Sequence, residues 1–192
     1  MATDFAFRKK AMKELPTSTG VYVLCDLDEV PIYVGQSKDG IRSRVSRHLT
    51  SARSDIIANR QIDVWEIAYV WAYPIADVKD ITPTENRLYH HFNKKSKLMN
   101  GTVPPAPAKA PVPKAAVKVQ VMSDKEIAER KTPEQRLPRQ ANHYAQIVGH
   151  FLAVKNSTQI AGAMDAHFER LSKYHSLLIK SAVSYSDESA EN

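Results

Sequence analysis

The sequence predicts an α+β protein, and three observations carry that prediction. Two β-branched runs, 20–25 and 31–35, are joined by a short acidic turn, Asp26-Leu27-Asp28-Glu29. Apolar residues then recur at helical spacing over 41–52, and a third strand-like run rich in Val, Ile, Tyr and Trp covers 62–73. Beyond a Pro-rich break at 102–118, every periodic segment is helical.

Taken in order, the first two runs read as a hairpin of strands. Each holds a tyrosine, Tyr22 in Gly20-Val21-Tyr22 and Tyr33 in Ile32-Tyr33-Val34-Gly35. Paired strands would place the two phenols side by side, within reach of one substrate. The following helix is marked by Ile41, Val45, Leu49 and Ala52. Later, Thr82-Pro83-Thr84-Glu85 opens a helix: threonine can cap, proline suits the first helical position, and Glu85 can close a capping box. That helix carries Leu88, His91 and Phe92 inward, and Lys94-Lys95 end it.

Residues 102–118 hold five prolines, five alanines, three lysines and no acidic residue. Proline fixes φ and removes a donor, so this stretch reads as a semi-rigid tether that joins neither a helix nor a central strand. After it the reading is all helix. Ser123 to Glu126 is a capping box. Tyr144, Ile147, Val148, Phe151 and Leu152 form one apolar face, and Ile160, Met164, Phe168, Leu171 and Leu178 form another across a break at 156–158. Two such helices make an antiparallel hairpin whose faces need each other or a partner, and residues 184–192 read as a frayed end. The domains are therefore 1–101, a linker at 102–118, and a helical region at 119–192.

The chain has 192 residues, 43% hydrophobic and 25% charged, with a net charge of +6 and a pI near 9.3. This balance favours polyanionic partners. The single cysteine, Cys25, excludes an internal disulfide framework and a Cys-rich zinc site. No apolar stretch approaches the ~20 residues of a membrane span. With no signal-peptide pattern at the N-terminus, a soluble, cytoplasmic protein with no membrane partner is expected.

The chemistry-bearing residues cluster around the tyrosine pair. Arg42, Arg44, Arg47, His48 and Arg53 follow it, with no carboxylate between Gly40 and Ser54. Arg44 and His48 are four apart and share a helix face. A guanidinium can neutralise phosphate oxygens and an imidazole can pass a proton, so the pair suits a scissile phosphate; a solvated basic face is the plainer reading. Glu85 can hold a divalent ion through hard oxygen, in competition with its capping role. Tyr69, Trp71 and Tyr73 alternate as a sheet face would, and His143, His150, His167 and His175 lack partners at ligand spacing.

The order Gly-Val-Tyr, Ile-Tyr-Val-Gly, Ile-Arg-Ser-Arg-Val-Ser-Arg-His-Leu, Thr-Glu-Asn-Arg-Leu and Leu-Met-Asn-Gly closely resembles the GIY-YIG nuclease family over about residues 18–101. The resemblance implies a small three-stranded sheet, mixed or antiparallel, flanked by helices. It also implies metal-dependent cleavage of DNA phosphodiesters. Tyr22 and Tyr33 match the signature tyrosines, Arg44 the arginine that contacts the scissile phosphate, and His48 a position usually His or Tyr. Glu85 matches the glutamate that binds a single Mg²⁺ or Mn²⁺, and Asn100 the asparagine that closes the domain. Gln36, Arg42, Arg47 and Arg53 are the further nucleic-acid contacts, with Arg42 a rival to Arg44. The chain departs from the repair members in an interval one residue longer between Tyr33 and Arg44, around Asp39-Gly40, and in Gln36 where they place lysine.

The expected function is thus a metal-dependent DNA endonuclease with one active site per chain. In that scheme Tyr33 or Tyr22 acts as a phenolate-like base, its proton loosened by Arg44 and the metal. The alternative is a non-catalytic nucleic-acid-binding or partner-binding protein that keeps the fold. DNA is the expected partner, RNA remains open, and the C-terminal helices give a physical reason for a homodimer.

Overall fold

The structure is a computed structural model and describes residues 4–51, 54–154 and 157–190. The elements in chain order are α1 (Phe5–Ala11), β1 (Gly20–Cys25), β2 (Pro31–Ser37), α2 (Ile41–Thr50), α3 (Asp55–Ala58), β3 (Tyr69–Pro74), α4 (Ile81–Asn93), β4 (Val117–Gln120), α5 (Asp124–Lys131), α6 (Pro133–Ala153) and α7 (Thr158–Ala190). The class is α+β.

The sheet is antiparallel throughout, in the order β2-β1-β3-β4. It has four strands where the sequence predicts three. The fourth is Val117–Gln120, inside and just past the stretch read as tether. Its valines alternate, and Val119 and Val121 bury themselves while Lys118 faces out. The strand is short and its neighbours are Pro, Ala and Lys, so local composition conceals it. Only the long-range pairing Tyr69↔Gln120 to Ala72↔Val117 reveals it.

β1 is the centre of the fold, with all six residues buried. Its alternate side chains feed two cores. Tyr22 and Leu24 face α1, α2 and α3 together with Val70 and Val119. Val21, Val23 and Cys25 face α4 with Val34 and Tyr73. The third predicted strand is shorter than expected: Val64–Glu66 forms a 3₁₀ turn capped by the Asp63 carboxylate, and pairing begins only at Tyr69. Trp71 packs edge-on against Phe92 at 5.6 Å, with Lys118 over its ring at 3.8 Å, so this strand's aromatics are structural.

The two apolar faces of the C-terminal hairpin meet each other, with the Tyr144 and Phe168 rings 5.7 Å apart, while the hairpin docks onto the rest of the molecule largely through charge. On α6 the buried residues are Arg136, Gln140, His143 and Ile147. On α7, Ile160, Ala163, Ala166, His167, Arg170 and Tyr174 are buried while Phe168 is 53% exposed. Arg136 pairs with Asp28 at 2.6 Å and Glu66 at 2.9 Å, and Arg170 with Asp26 at 2.5 Å. These contacts clamp the hairpin onto the β1–β2 turn. α7 also runs on to Ala190, through residues whose composition predicts fraying. Among the described residues, no helix is long and apolar enough to cross a membrane.

Candidate active site

The tyrosines meet because a glycine lies between them. Tyr22 stands opposite Gly35 across the β1–β2 pair, and Tyr33 opposite Leu24, so the phenols are diagonal neighbours on one face. A Cβ at Gly35 would come within 2.5 Å of the Tyr22 hydroxyl and 2.7 Å of Tyr33 Cε1. Without it, the rings approach to 6.3 Å between centroids. Asn100 secures the free edge of β2 as a short strand would. Its Oδ1 accepts the Val34 N–H at 3.0 Å and its Nδ2 donates to the Val34 carbonyl at 2.6 Å.

α2 brings the basic residues, and the structure separates their roles. It begins after Gly40, whose φ of 102° lies where glycine is favoured and whose missing Cβ makes room for the Thr17 carbonyl. Arg42, the rival for the phosphate role, turns away. Its Nε donates to the Leu15 carbonyl at 2.8 Å and its Nη2 to the Lys13 carbonyl, tying α2 to the turn after α1. Arg44 stays on the tyrosine side and pairs through Nη2 with Asp55 Oδ2 at 2.9 Å. Arg47 is exposed. Arg53, together with Ala52, lies outside the described residues. His48 is fully buried: Nε2 meets the Tyr22 hydroxyl at 2.6 Å, and Nδ1 meets Ser54 Oγ at 2.5 Å.

A cleft of about 490 Å³ opens beside these residues, lined by Tyr33, Asp55, Glu85, Asn100, Pro104 and Gln159 among others. A cleft of similar size, about 460 Å³ against Trp65 and Arg130, holds none of the site residues. Glu85 does not form the capping box that its sequence context suggests. α4 begins earlier, at Ile81, and its N-cap Asp80 makes no side-chain capping bond. Thr82 instead donates to Gln36 Oε1 at 3.3 Å, which places Gln36 at the rim of the cleft. The Glu85 side chain is left half-buried with no hydrogen bond or ion pair among the described residues.

The electrostatics follow from burial. The Glu85 carboxyl is pushed up to about 7 by desolvation. A carboxylate so placed, without a protein cation, fits a divalent ion. Among the described residues no group of three His, Cys, Asp or Glu side chains is placed to hold a metal ion. Both phenols are pushed upward by burial, Tyr22 further by Tyr33, and the opposing pull of Arg44 is smaller. A resting phenolate is therefore disfavoured by the protein's own groups, Arg44 included. His48 is pushed down to about 4, by burial first and then by Arg44, and is neutral at pH 7. Burial would raise Asp55, but Arg44 and then His48 hold its carboxyl below the usual range.

Tyr22, Tyr33, Arg44, His48, Glu85 and Asn100 thus come together, with Gln36 at the rim, while Arg42 is taken up by two carbonyls near α1 and Arg47 is exposed. Sequence reasoning missed Ser54 and Asp55. One signal was available: Asp55 is the first carboxylate after the acid-free stretch that begins at Gly40. No family model, curated protein or solved structure matches this chain.

Proposed function

We propose that this chain is a metal-dependent endonuclease of the GIY-YIG type, hydrolysing DNA phosphodiester bonds at one site per chain. The observation that carries the reading is a cleft lined by Tyr33, Asp55 and the partnerless carboxylate of Glu85, with the Arg44 guanidinium bound to Asp55 and the Tyr22–His48 phenol–imidazole pair packed behind Tyr33. These are four kinds of group that phosphodiester hydrolysis can use. Glu85 would hold Mg²⁺ or Mn²⁺, which when bound supplies Lewis-acid stabilisation of the leaving oxygen.

The chain's own residues account for the remaining work. Tyr33 is the phenol at the cleft, and Tyr22 is buried behind it against His48. A proton leaving the attacking water passes to Tyr33 Oη, as Tyr33 gives its own to Tyr22 and Tyr22 gives its own to His48 Nε2. Neutral phenols serve this relay, because each takes a proton as it releases one, and the Asp55 carboxylate 3.9 Å from Nδ1 offsets the imidazolium that burial and Arg44 otherwise disfavour. Arg44 exchanges its Asp55 partner for a phosphate oxygen and offsets charge on the pentacovalent phosphorus. Gln36 and the exposed Arg47 supply backbone contacts along the strand.

A plasmid-nicking assay with Mg²⁺, Mn²⁺ or EDTA tests the reading. Cleavage that needs the metal and falls by 10²-fold or more (about) in Glu85→Gln and Arg44→Ala supports it. Wild-type rates in a folded Glu85→Gln protein would sink the assignment. DNA binding without cleavage under any condition would leave the non-catalytic module in its place.

A further inference from the structure

The two residues that open α3 hold both reactive side chains of α2. Ser54 occupies the position before the helix where a serine ordinarily caps, yet its hydroxyl makes no capping bond. It is 1% exposed and lies 2.5 Å from His48 Nδ1. Asp55, next in the chain, binds Arg44 through Oδ2 and places Oδ1 3.9 Å from the same Nδ1.

A neutral imidazole carries one N–H, and its position decides what His48 can do. With the proton on Nδ1, that nitrogen donates to Ser54 Oγ, and Nε2 is free to accept the Tyr22 O–H. With the proton on Nε2, the imidazole donates to the phenol oxygen and cannot take its proton. Charge on either side favours the first arrangement. The Asp55 carboxylate lies on the Nδ1 side, and the Arg44 guanidinium stands beside the Tyr22 oxygen, leaving the phenol's own hydrogen to point at Nε2. We propose that Ser54 is a positioning residue that holds His48 in its Nδ1–H tautomer, so that Nε2 receives the Tyr22 proton. In that step the Tyr22 O–H bond breaks and an Nε2–H bond forms. The ring becomes an imidazolium with both nitrogens protonated, facing Ser54 and Asp55 on one side. The role in proton relay rests on the nuclease reading; the tautomer does not.

Long-range ¹H–¹⁵N NMR on the full chain, labelled at histidine, tests this at pH 7.5. His48 is assigned by the signal lost in His48→Gln. The expected wild-type spectrum shows a protonated Nδ1 and an unprotonated Nε2. Ser54→Ala shifts the population toward Nε2–H, and Ser54→Thr, which keeps the hydroxyl, restores it. In the nicking assay Ser54→Ala lowers kcat by roughly 10²-fold with KM little changed, and Ser54→Thr recovers most of it. A wild-type His48 protonated on Nε2 overturns the proposal before any variant is made. So does a Ser54→Ala protein that keeps the pure Nδ1–H form. A chain that never cuts DNA counts against the nuclease reading, while the spectrum still decides the tautomer.

Discussion

Glu85 shows how much one side chain depends on what surrounds it. A carboxylate that burial raises to about 7 is favoured as the neutral acid in the folded protein. An unfolded glutamate titrates near ~4.3, so the folded state binds more protons between the two values. The contribution to stability is therefore complete below the unfolded value and is lost as pH rises through 7. Without divalent ions, the Tm of the wild type should fall between pH 5.5 and 8, and Glu85→Gln should flatten that part of the profile. At pH 8, Mg²⁺ at ten times its Kd should stabilise the wild type by about 1.4 kcal/mol and leave Glu85→Gln unmoved. Thermal melts with Mg²⁺ and with EDTA read both effects. An equal Mg²⁺ shift in the variant would place the ion elsewhere.

At the scale of the element, the β1–β2 pair carries the site. Gly35 is the residue that permits it, since any Cβ there collides with two rigid rings, one of them bonded to His48. Gly35→Ala should therefore destabilise the protein by roughly 1–3 kcal/mol in urea unfolding. It should also lower cleavage by about 10²-fold, because the phenols must part. A fully active Gly35→Ala would show that their close approach is incidental. Much at this scale was legible in the sequence. β1 is 20–25 as read, β2 extends two residues beyond the reading, and Ser123 caps α5 through the Glu126 N–H. These features depend on local patterning, which a single stretch of chain displays. The start of α4 was misread because Thr82-Pro83-Thr84-Glu85 satisfies a local rule, whereas the helix is entered two residues sooner and Thr82 bonds across to Gln36.

Across the whole molecule, the C-terminal half is bound into the N-terminal half rather than suspended from it. The stretch read as a tether is pinned, with His90 Nε2 at 2.8 Å from the Pro104 carbonyl, and it returns the chain to β3 as a fourth strand. Arg136→Met would remove the main partner of Glu66, a buried carboxylate that burial already raises. Breaking such a pair costs about 3–5 kcal/mol. Urea unfolding should show that loss, and trypsin should cut the exposed Lys109 and Lys114 faster; an unchanged midpoint would mean the clamp is marginal. The hairpin also docks through two buried histidines whose rings lie 4.8 Å apart: His143 Nε2 faces the Arg60 carbonyl at 3.1 Å and His167 Nε2 the Gln61 carbonyl at 3.0 Å. Burial, and then His143, push His167 down to about 3. An unfolded histidine titrates near ~6.5, so the unfolded state binds more protons as pH falls below that value, and stability is lost on acidification. His167→Gln, which can still donate to Gln61, should reduce the fall in Tm between pH 7 and 5. An identical fall in wild type and variant would assign the acid sensitivity to other groups, His48 first among them.

By itself, the sequence determined the local elements and the order of the chemistry-bearing residues, because hydrophobic period, turn residues and caps act over a few positions. Tyr22, Tyr33, Arg44, His48, Glu85 and Asn100 could be named from that order and from a resemblance. What only the tertiary structure decided is which groups touch. Arg42 is committed to two carbonyls near α1, Asp55 binds Arg44, Ser54 meets His48, and burial pushes both phenols upward. Each of these depends on how the chain folds back on itself, over 27 residues for Arg42 but only 11 and 6 for Asp55 and Ser54, or on loss of water around a group, and neither is written in the spacing of residues.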